Sequence, residues 1–350
     1  DDPVRAMRAV RHAVDFEFEI DVEARTAVRQ AALLLDTVSI ERVRDELLKV
    51  MHSHSPKRGL ELMLDLGLLP QVLPELADLA KISQTPPHFE SALAHTGSVL
   101  RWLSLIEGLI TLERPPAESM LEEVHQRLAP YRLSLAEHFE RRLDGGVDGW
   151  QALRLGAMFH DAGKAQMISV EPDGRTRFFG HSEVGADLAA YRLTALRLSR
   201  EVIRHVRAVV AGHMRPLYLA RNPSLSRRAI FRYFRECGSA GLDIIMLALA
   251  DHLAIADRGR PDRQWERLLE VVSGLLEHYF RHYRETVRPE ALLDGRQLME
   301  ILHLEPGPEV GRLLGLLVEA QAAGEVVTRK EAVDLLLRLA EQGTDKDRIG

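Results

Sequence analysis

One cysteine, Cys237, leaves this 350-residue chain without an intramolecular disulfide or a thiolate zinc cage. A reducing cytoplasm is therefore the expected location. Long apolar runs are also missing. The longest, Ile244–Ala250, falls far short of the roughly 18–20 residues that span a bilayer, so neither a transmembrane helix nor a membrane partner is expected. Positive charge is not in excess. Forty-six Lys and Arg against 52 Asp and Glu give a net charge of −6, so any contact with nucleic acid must come from local basic faces. The chain opens Asp1-Asp2-Pro3 with neither an initiator Met nor a charged-then-apolar leader. No signal peptide is expected, and the chain is expected to begin inside a longer protein. What is present, 46% hydrophobic and 28% charged residues, is the balance of a globular chain, long enough for roughly two or three folding units.

Nearly every segment has helical period, and the fold class expected is all-α. Val4, Met7, Val10 and Val14 form one stripe of a helix over residues 3–14, with Asp2 as N-cap and Pro3 at its first position. Its other side carries Arg5, Arg8, Arg11 and His12. Further helices are predicted at about 24–35, 40–51 with Ser39 as cap, and 56–66 with Gly67 as terminator. A helical neck over 1–80 thus ends at the proline-bearing junction Lys81–Pro87. A body over 88–284 follows, broken at Glu113–Ala117 and Leu143–Gly149. Its one strand-like part, Met167–Gly180, places Glu171-Pro172-Asp173-Gly174 between β-prone runs and predicts a small hairpin. A tail over 290–342 holds helices near 296–302, 308–323 and 329–341, and Gly343–Gly350 is expected to fray.

The chemistry concentrates in histidines and aspartates. A lone His-Asp pair is uninformative, because about one is expected by chance in this composition, but His160-Asp161 closes the apolar run Leu153–Phe159 and precedes Ala162-Gly163-Lys164. Imidazole and carboxylate at such a point suit Mg, Mn, Fe, Ni, Co or Zn, and Lys164 beside them faces a phosphate. His95 sits in an apolar helix upstream. His181 begins a helix after the hairpin, His213 ends another, and Asp251 interrupts Leu247-Ala248-Leu249-Ala250. An unpartnered Asp there is costly to ionise, and a metal removes the difficulty. His252 is the most credible additional group, while His278 and His282 read as helix surface.

The order His95, His160-Asp161 with Gly163-Lys164, His181, His213 and Asp251 resembles the HD superfamily of metal-dependent phosphohydrolases, an all-helical fold. The resemblance implies that His95, His160, Asp161 and Asp251 hold one divalent metal. It implies that His181 and His213 serve a second metal or the substrate phosphate, and that Asp161, Lys164 and His160 carry the hydrolysis.

The flanks carry a second resemblance. Asp1-Asp2-Pro3-Val4-Arg5 with Ala6–Arg11 is similar to the nucleotide-selecting helix of class II tRNA nucleotidyltransferases and bacterial poly(A) polymerases, with Asp1 replacing the usual Glu and His12 the usual Phe. Val38–Leu47, Gly67–Pro70 with Leu73-Pro74-Glu75, Leu293–Met299, Pro306–Gly311, Glu319-Ala320-Gln321 and Gly324–Arg329 continue the likeness in the family's order. By analogy Asp2, Arg5 and Arg8 bind the nucleotide, and a tRNA or other RNA 3′ end is the partner. The family's nucleotidyl-transfer head, with its Gly-Ser-Arg phosphate loop and Asp-x-Asp pair, is not found before Asp1. The first expectation is accordingly a tRNA 3′-end-processing family protein whose present chain is a metal-dependent phosphohydrolase or phosphodiesterase. The alternative is an RNA-binding module with a vestigial HD site.

Overall fold

The computed structural model describes residues 2–85, 90–111, 119–256 and 263–346. Asp1, the end of the Lys81–Pro87 junction, the break at Glu113–Ala117 and the last four residues of the tail lie outside them. The chain divides into two compact units, Asp1–Leu217 with Ser239–Leu269, and Tyr218–Gly238 with Glu270–Gly350.

The fold is all-α. The only sheet among the described residues is the predicted hairpin, in which Ser169 and Val170 pair antiparallel with Arg177 and Thr176.

In the first unit the opening helix is Arg5–Asp15, which starts two residues later than its apolar stripe suggests. Pro3 and Val4 form a turn, and Asp2 Oδ1 accepts from Val4 N at 3.2 Å ahead of the helix. Ala6, Met7, Val10, Ala13 and Val14 are buried against the helices Val22–Ala32, Ile40–His52 and Pro56–Asp65. Asp21 caps the second of these four helices through Ala24 N at 2.8 Å. Ser39 occupies the N-cap position of the third without a side-chain bond. Gly67 adopts φ +74°, and Leu68 N returns to Met63 O at 2.9 Å. That left-handed residue closes the fourth helix at low steric cost.

The long apolar helix Ala92–Thr111 packs against Pro56–Asp65, Gly149–Phe159 and Gly241–Ala256. Gly149–Phe159 opens with an Asp148/Gln151 capping box and packs on Arg200–Gly212. Arg200–Gly212 in turn lies along His181–Ala195. Two buried polar clusters tie these helices together. Arg154 donates to Met51 O at 3.0 Å and pairs with Glu107 at 2.5 Å, which satisfies a terminal carbonyl of Ile40–His52. Asp243 accepts from His138 and His205, each at 2.9 Å, and these bonds outweigh burial and hold its pKa at about 2.

The second unit contains Arg227–Cys237, Gly295–Leu302, Pro308–Ala323 and Arg329–Lys346. Leu293, Leu298, Leu313, Leu317, Ala332 and Leu336 are central to its core. Glu319 is buried and gathers Arg228, Arg232 and Arg235 at 3.3, 2.6 and 3.2 Å. The last helix runs on to Lys346, past its expected end. The stretch Arg227–Ile255 is long and apolar enough to cross a membrane by length and composition alone, but 78% of its most apolar window is buried, as in a core helix.

Candidate metal centre

Five structural elements deliver the histidines and aspartates singled out above. His95 lies in the first turn of Ala92–Thr111, and His160 is the C-cap of Gly149–Phe159, with Asp161 in the turn beyond. His181 opens His181–Ala195, His213 caps the end of Arg200–Gly212, and Asp251 is embedded in Gly241–Ala256. Two of these helices end, and two begin, at the site. This lets polar side chains meet inside an apolar scaffold.

Gly163 makes the convergence possible. The sequence marks it as a helix stop, yet its backbone is ordinary. Its role is steric, because a Cβ there would lie 2.2 Å from His181 O and 2.7 Å from Gly185 N. Only glycine lets the His181 helix come this close to the His160-Asp161 turn.

The side chains form two groups, His95 with His160 and Asp251, and Asp161 with His181 and His213. Within each group the ligand atoms lie within 4.8 Å of one another. In the first, His95 Nε2 is 2.8 Å from Asp251 Oδ1. In the second, His181 Nε2 is 3.6 Å from Asp161 Oδ1 and 3.2 Å from His213 Nε2. The four-residue set His95, His160, Asp161 and Asp251 thus becomes a three-residue group with Asp161 alongside. Asp161 Oδ2 faces the first group, 3.3 Å from His160 Nε2 and 4.0 Å from His95 Nε2. One carboxylate therefore addresses both groups, one oxygen to each.

The tautomers follow from backbone bonds. His160, His181 and His213 each place Nδ1 against a carbonyl three residues earlier, Ala157 O at 2.7 Å, Phe178 O at 2.8 Å and Val210 O at 2.7 Å. Nδ1 is then the donor, and each Nε2 turns a lone pair into the site, the backbone carbonyl fixing the ring as it does for metal-binding imidazoles. In that state the two Nε2 atoms of His181 and His213 oppose one another as acceptors with no proton between them. His160 Nε2 is buried with no hydrogen-bond partner, and Asp161 Oδ2 beside it is held by the Lys164 ammonium at 2.6 Å. Acceptors left unpaired in a buried site are costly, and a cation in each group would satisfy them.

Electrostatics agree with that donor set. Burial depresses the pKa of His213 to about 3, helped by His160 and His181. Burial likewise lowers His181, so both are neutral ligands near pH 7. Burial would raise Asp161 and Asp251, but the charges of His160, Lys164 and His95 hold the first well below the carboxylate range, and bonding to His95 lowers the second. His160 is raised, because Asp161 and Asp251 outweigh its burial. A proton therefore competes with a cation at His160 more than at its neighbours.

Lys164 Nζ lies 2.6 Å from Asp161 Oδ2, over the Phe178 ring, and donates to Gln84 Oε1 at 2.7 Å. Gln84 lies in the junction after the neck and carries no pattern that distinguishes it in the sequence. His252 stacks on Trp265 at 5.3 Å. His278 bonds Thr286 Oγ1 at 3.0 Å and His282 bonds Glu285 at 3.1 Å. On the opening helix, Arg5 is exposed and Arg8 pairs with Glu46 at 3.5 Å. The Asp2 carboxylate, expected to share the helix face with Arg5, instead precedes the helix and is held by Arg42.

Comparison with known proteins bears on the chain as a whole. Residues 17–79 match the family described as the probable RNA and SrmB-binding site of polymerase A. The chain is 33% identical over 342 residues to a CC-adding tRNA nucleotidyltransferase of Thermus thermophilus, covering 96% of this chain and 66% of that protein. It is similar in fold to a solved CCA-adding enzyme in complex with CTP, with a TM-score of 0.50 and 15% identity over 97% of this chain and 60% of the other. The chain thus spans about two thirds of the length of the curated relatives it matches. An A-adding tRNA nucleotidyltransferase of Deinococcus radiodurans is 32% identical over 97% of this chain and 69% of its own length, and on that likeness the chain belongs to the class II CCA-adding tRNA nucleotidyltransferase and poly(A) polymerase family.

Proposed function

We propose that these 350 residues are the neck (1–80), HD body (88–284) and tail (290–342) of a tRNA 3′-end-processing protein, and that the body is a metal-dependent phosphohydrolase or phosphodiesterase. The observation that carries this reading is the convergence of His95, His160, Asp161, His181, His213 and Asp251, with His160 Nε2 buried and without a hydrogen-bond partner. The partner is a tRNA or other RNA 3′ end, presented to the site as a nucleotide or phosphate ester.

A divalent cation in this site supplies Lewis acidity and lowers the pKa of a coordinated water toward neutrality. The chain does the rest. Asp161, ionised across the working pH range, divides its two oxygens between the groups, and its low pKa suits a bridging ligand better than a proton store. His181 and His213, neutral by burial, offer Nε2 without first losing a proton. Lys164 neutralises a non-bridging phosphate oxygen as charge builds there. The apolar helices around the site exclude bulk water and strengthen each of these interactions. On the neck, Arg5 is exposed and offers a guanidinium fork for a base edge or phosphate, while Asp2 and Arg8, the other proposed nucleotide contacts, are held by Arg42 and Glu46.

The test is turnover of 2′,3′-cyclic AMP and an aryl phosphate with Mg, Mn, Ni or Co, comparing wild type with His160→Ala and Lys164→Ala. Wild type should be active and His160→Ala should lose activity at least 100-fold. No turnover of either compound, or an equally active His160→Ala, overturns the catalytic reading. The second reading, an RNA-gripping module with a vestigial site, is favoured by the match of residues 17–79 to an RNA-binding family, and would then stand in its place.

A further inference from the structure

Among the described residues, two buried side-chain atoms without a hydrogen-bond partner lie near Lys164: His160 Nε2 and Gln84 Nε2. The first is an acceptor that a cation would satisfy. Gln84 Nε2 is different, because it is a donor, and no cation can satisfy it. Its orientation is fixed by its neighbour. Lys164 has three donors and no acceptor, so Gln84 must present Oε1 to Nζ, at 2.7 Å, and flipping the amide would set donor against donor. The NH2 group is therefore committed to some other partner, and that partner must be an acceptor. Lys164 Nζ is also 2.6 Å from Asp161 Oδ2, which brings the amide to the edge of the metal groups. The local backbone is anchored, with Ser83 bridging Ser91 and Thr85 Oγ1 3.3 Å from Thr176 Oγ1 on the hairpin. An unpaired buried donor on an anchored segment calls for a specific explanation.

We propose that Gln84 is a substrate-binding residue which, with Lys164, forms a phosphate subsite beside the metal groups, Nε2 donating to a non-bridging phosphate oxygen. A phosphate ester supplies what the amide lacks, acceptor oxygens, and places them within reach of the ammonium's remaining donors. Gln84 Oε1 meanwhile keeps Lys164 aimed. The assignment rests on the phosphohydrolase reading and specifies its substrate contacts.

Two substitutions separate holding Lys164 from donating to phosphate. Gln84→Glu keeps an acceptor for Lys164 and removes the donor, whereas Gln84→Leu removes both. Metal content, melting temperature, calorimetric binding of inorganic phosphate to the Mn-loaded protein, and KM and kcat for an aryl phosphate are measured for all three proteins. Both variants should retain wild-type metal content and melting, and bind phosphate at least tenfold more weakly, as expected for loss of a hydrogen bond to a charged group. KM should rise with little change in kcat. A Gln84→Glu protein that binds phosphate like an active wild type overturns the Gln84 assignment and leaves the phosphohydrolase reading intact. A Mn-loaded wild type that neither binds nor hydrolyses phosphate overturns both.

Discussion

Replacing Gly163 by alanine is the sharpest test of whether the two side-chain groups are one assembled centre. The added Cβ meets backbone on both sides, His181 O at 2.2 Å and Gly185 N at 2.7 Å, so no rotamer change relieves it. To restore ordinary contact the His181–Ala195 helix must retreat by about 1.2 Å from the 2.2 Å approach. His181 Nε2 now sits 3.6 Å from Asp161 Oδ1 and 3.2 Å from His213 Nε2. Metal ligands tolerate only about ±0.2 Å, so a retreat of that size removes His181 from joint ligation. His95, His160 and Asp251 come from other helices and stay in place. Overpacking of this kind costs about 1–3 kcal/mol, which in a unit of this size lowers the melting temperature by roughly 2–10 °C. We therefore expect Gly163→Ala to fold, to melt lower, and to bind one metal equivalent fewer than wild type by elemental analysis. Unchanged metal content and unchanged melting would refute both the close-approach argument and the division into two groups.

Three further outcomes are expected. Asp243 has its pKa held at about 2 against about 3.9 unfolded, so its share of stability, about 2–3 kcal/mol, is present above pH 4 and is lost as pH falls toward 2. The gap in urea midpoint between wild type and Asp243→Asn should narrow over that interval, and a gap that stays constant sinks the linkage. Gly311→Ala and Gly315→Ala sit exposed within Pro308–Ala323 with open space at the Cβ position, and each should stabilise by about 0.5–1 kcal/mol, read as a raised melting temperature. Finally, on the proposed reading of these 350 residues as neck, HD body and tail, they alone should add no labelled nucleotide to a tRNA lacking its terminal CCA; robust extension would contradict that reading.

Much of this site is legible in the sequence because its residues stand where patterns break. His160-Asp161 ends an apolar helix, His213 ends another, and Asp251 is an acid within an apolar run. Each is conspicuous against a 3.6-residue period, as is the Pro-Asp-Gly turn of the hairpin. The helices of the second unit follow for the same reason, with Asp294 and Gln297 forming the capping box that starts Gly295–Leu302.

What the sequence conceals is set by distance in space rather than along the chain. The division of six ligands into two groups depends on helix approach. Gly163 looks like a terminator, although its necessity comes from His181 O, eighteen positions on. Asp2 seems to share a helix face with Arg5, but proline geometry displaces the helix start and leaves the Asp2 carboxylate to Arg42, from a helix forty residues later. His138, His205 and Asp243 read as scattered polar residues until three helices close on them. Gln84 is the extreme case, an unremarkable amide in a junction whose two ends acquire different meanings only when Lys164 claims one of them. A donor so committed, beside an acceptor that a cation would satisfy, is what the proposed meeting of cation and phosphate in one site requires. That pairing is the physical requirement of metal-assisted attack on a phosphate ester.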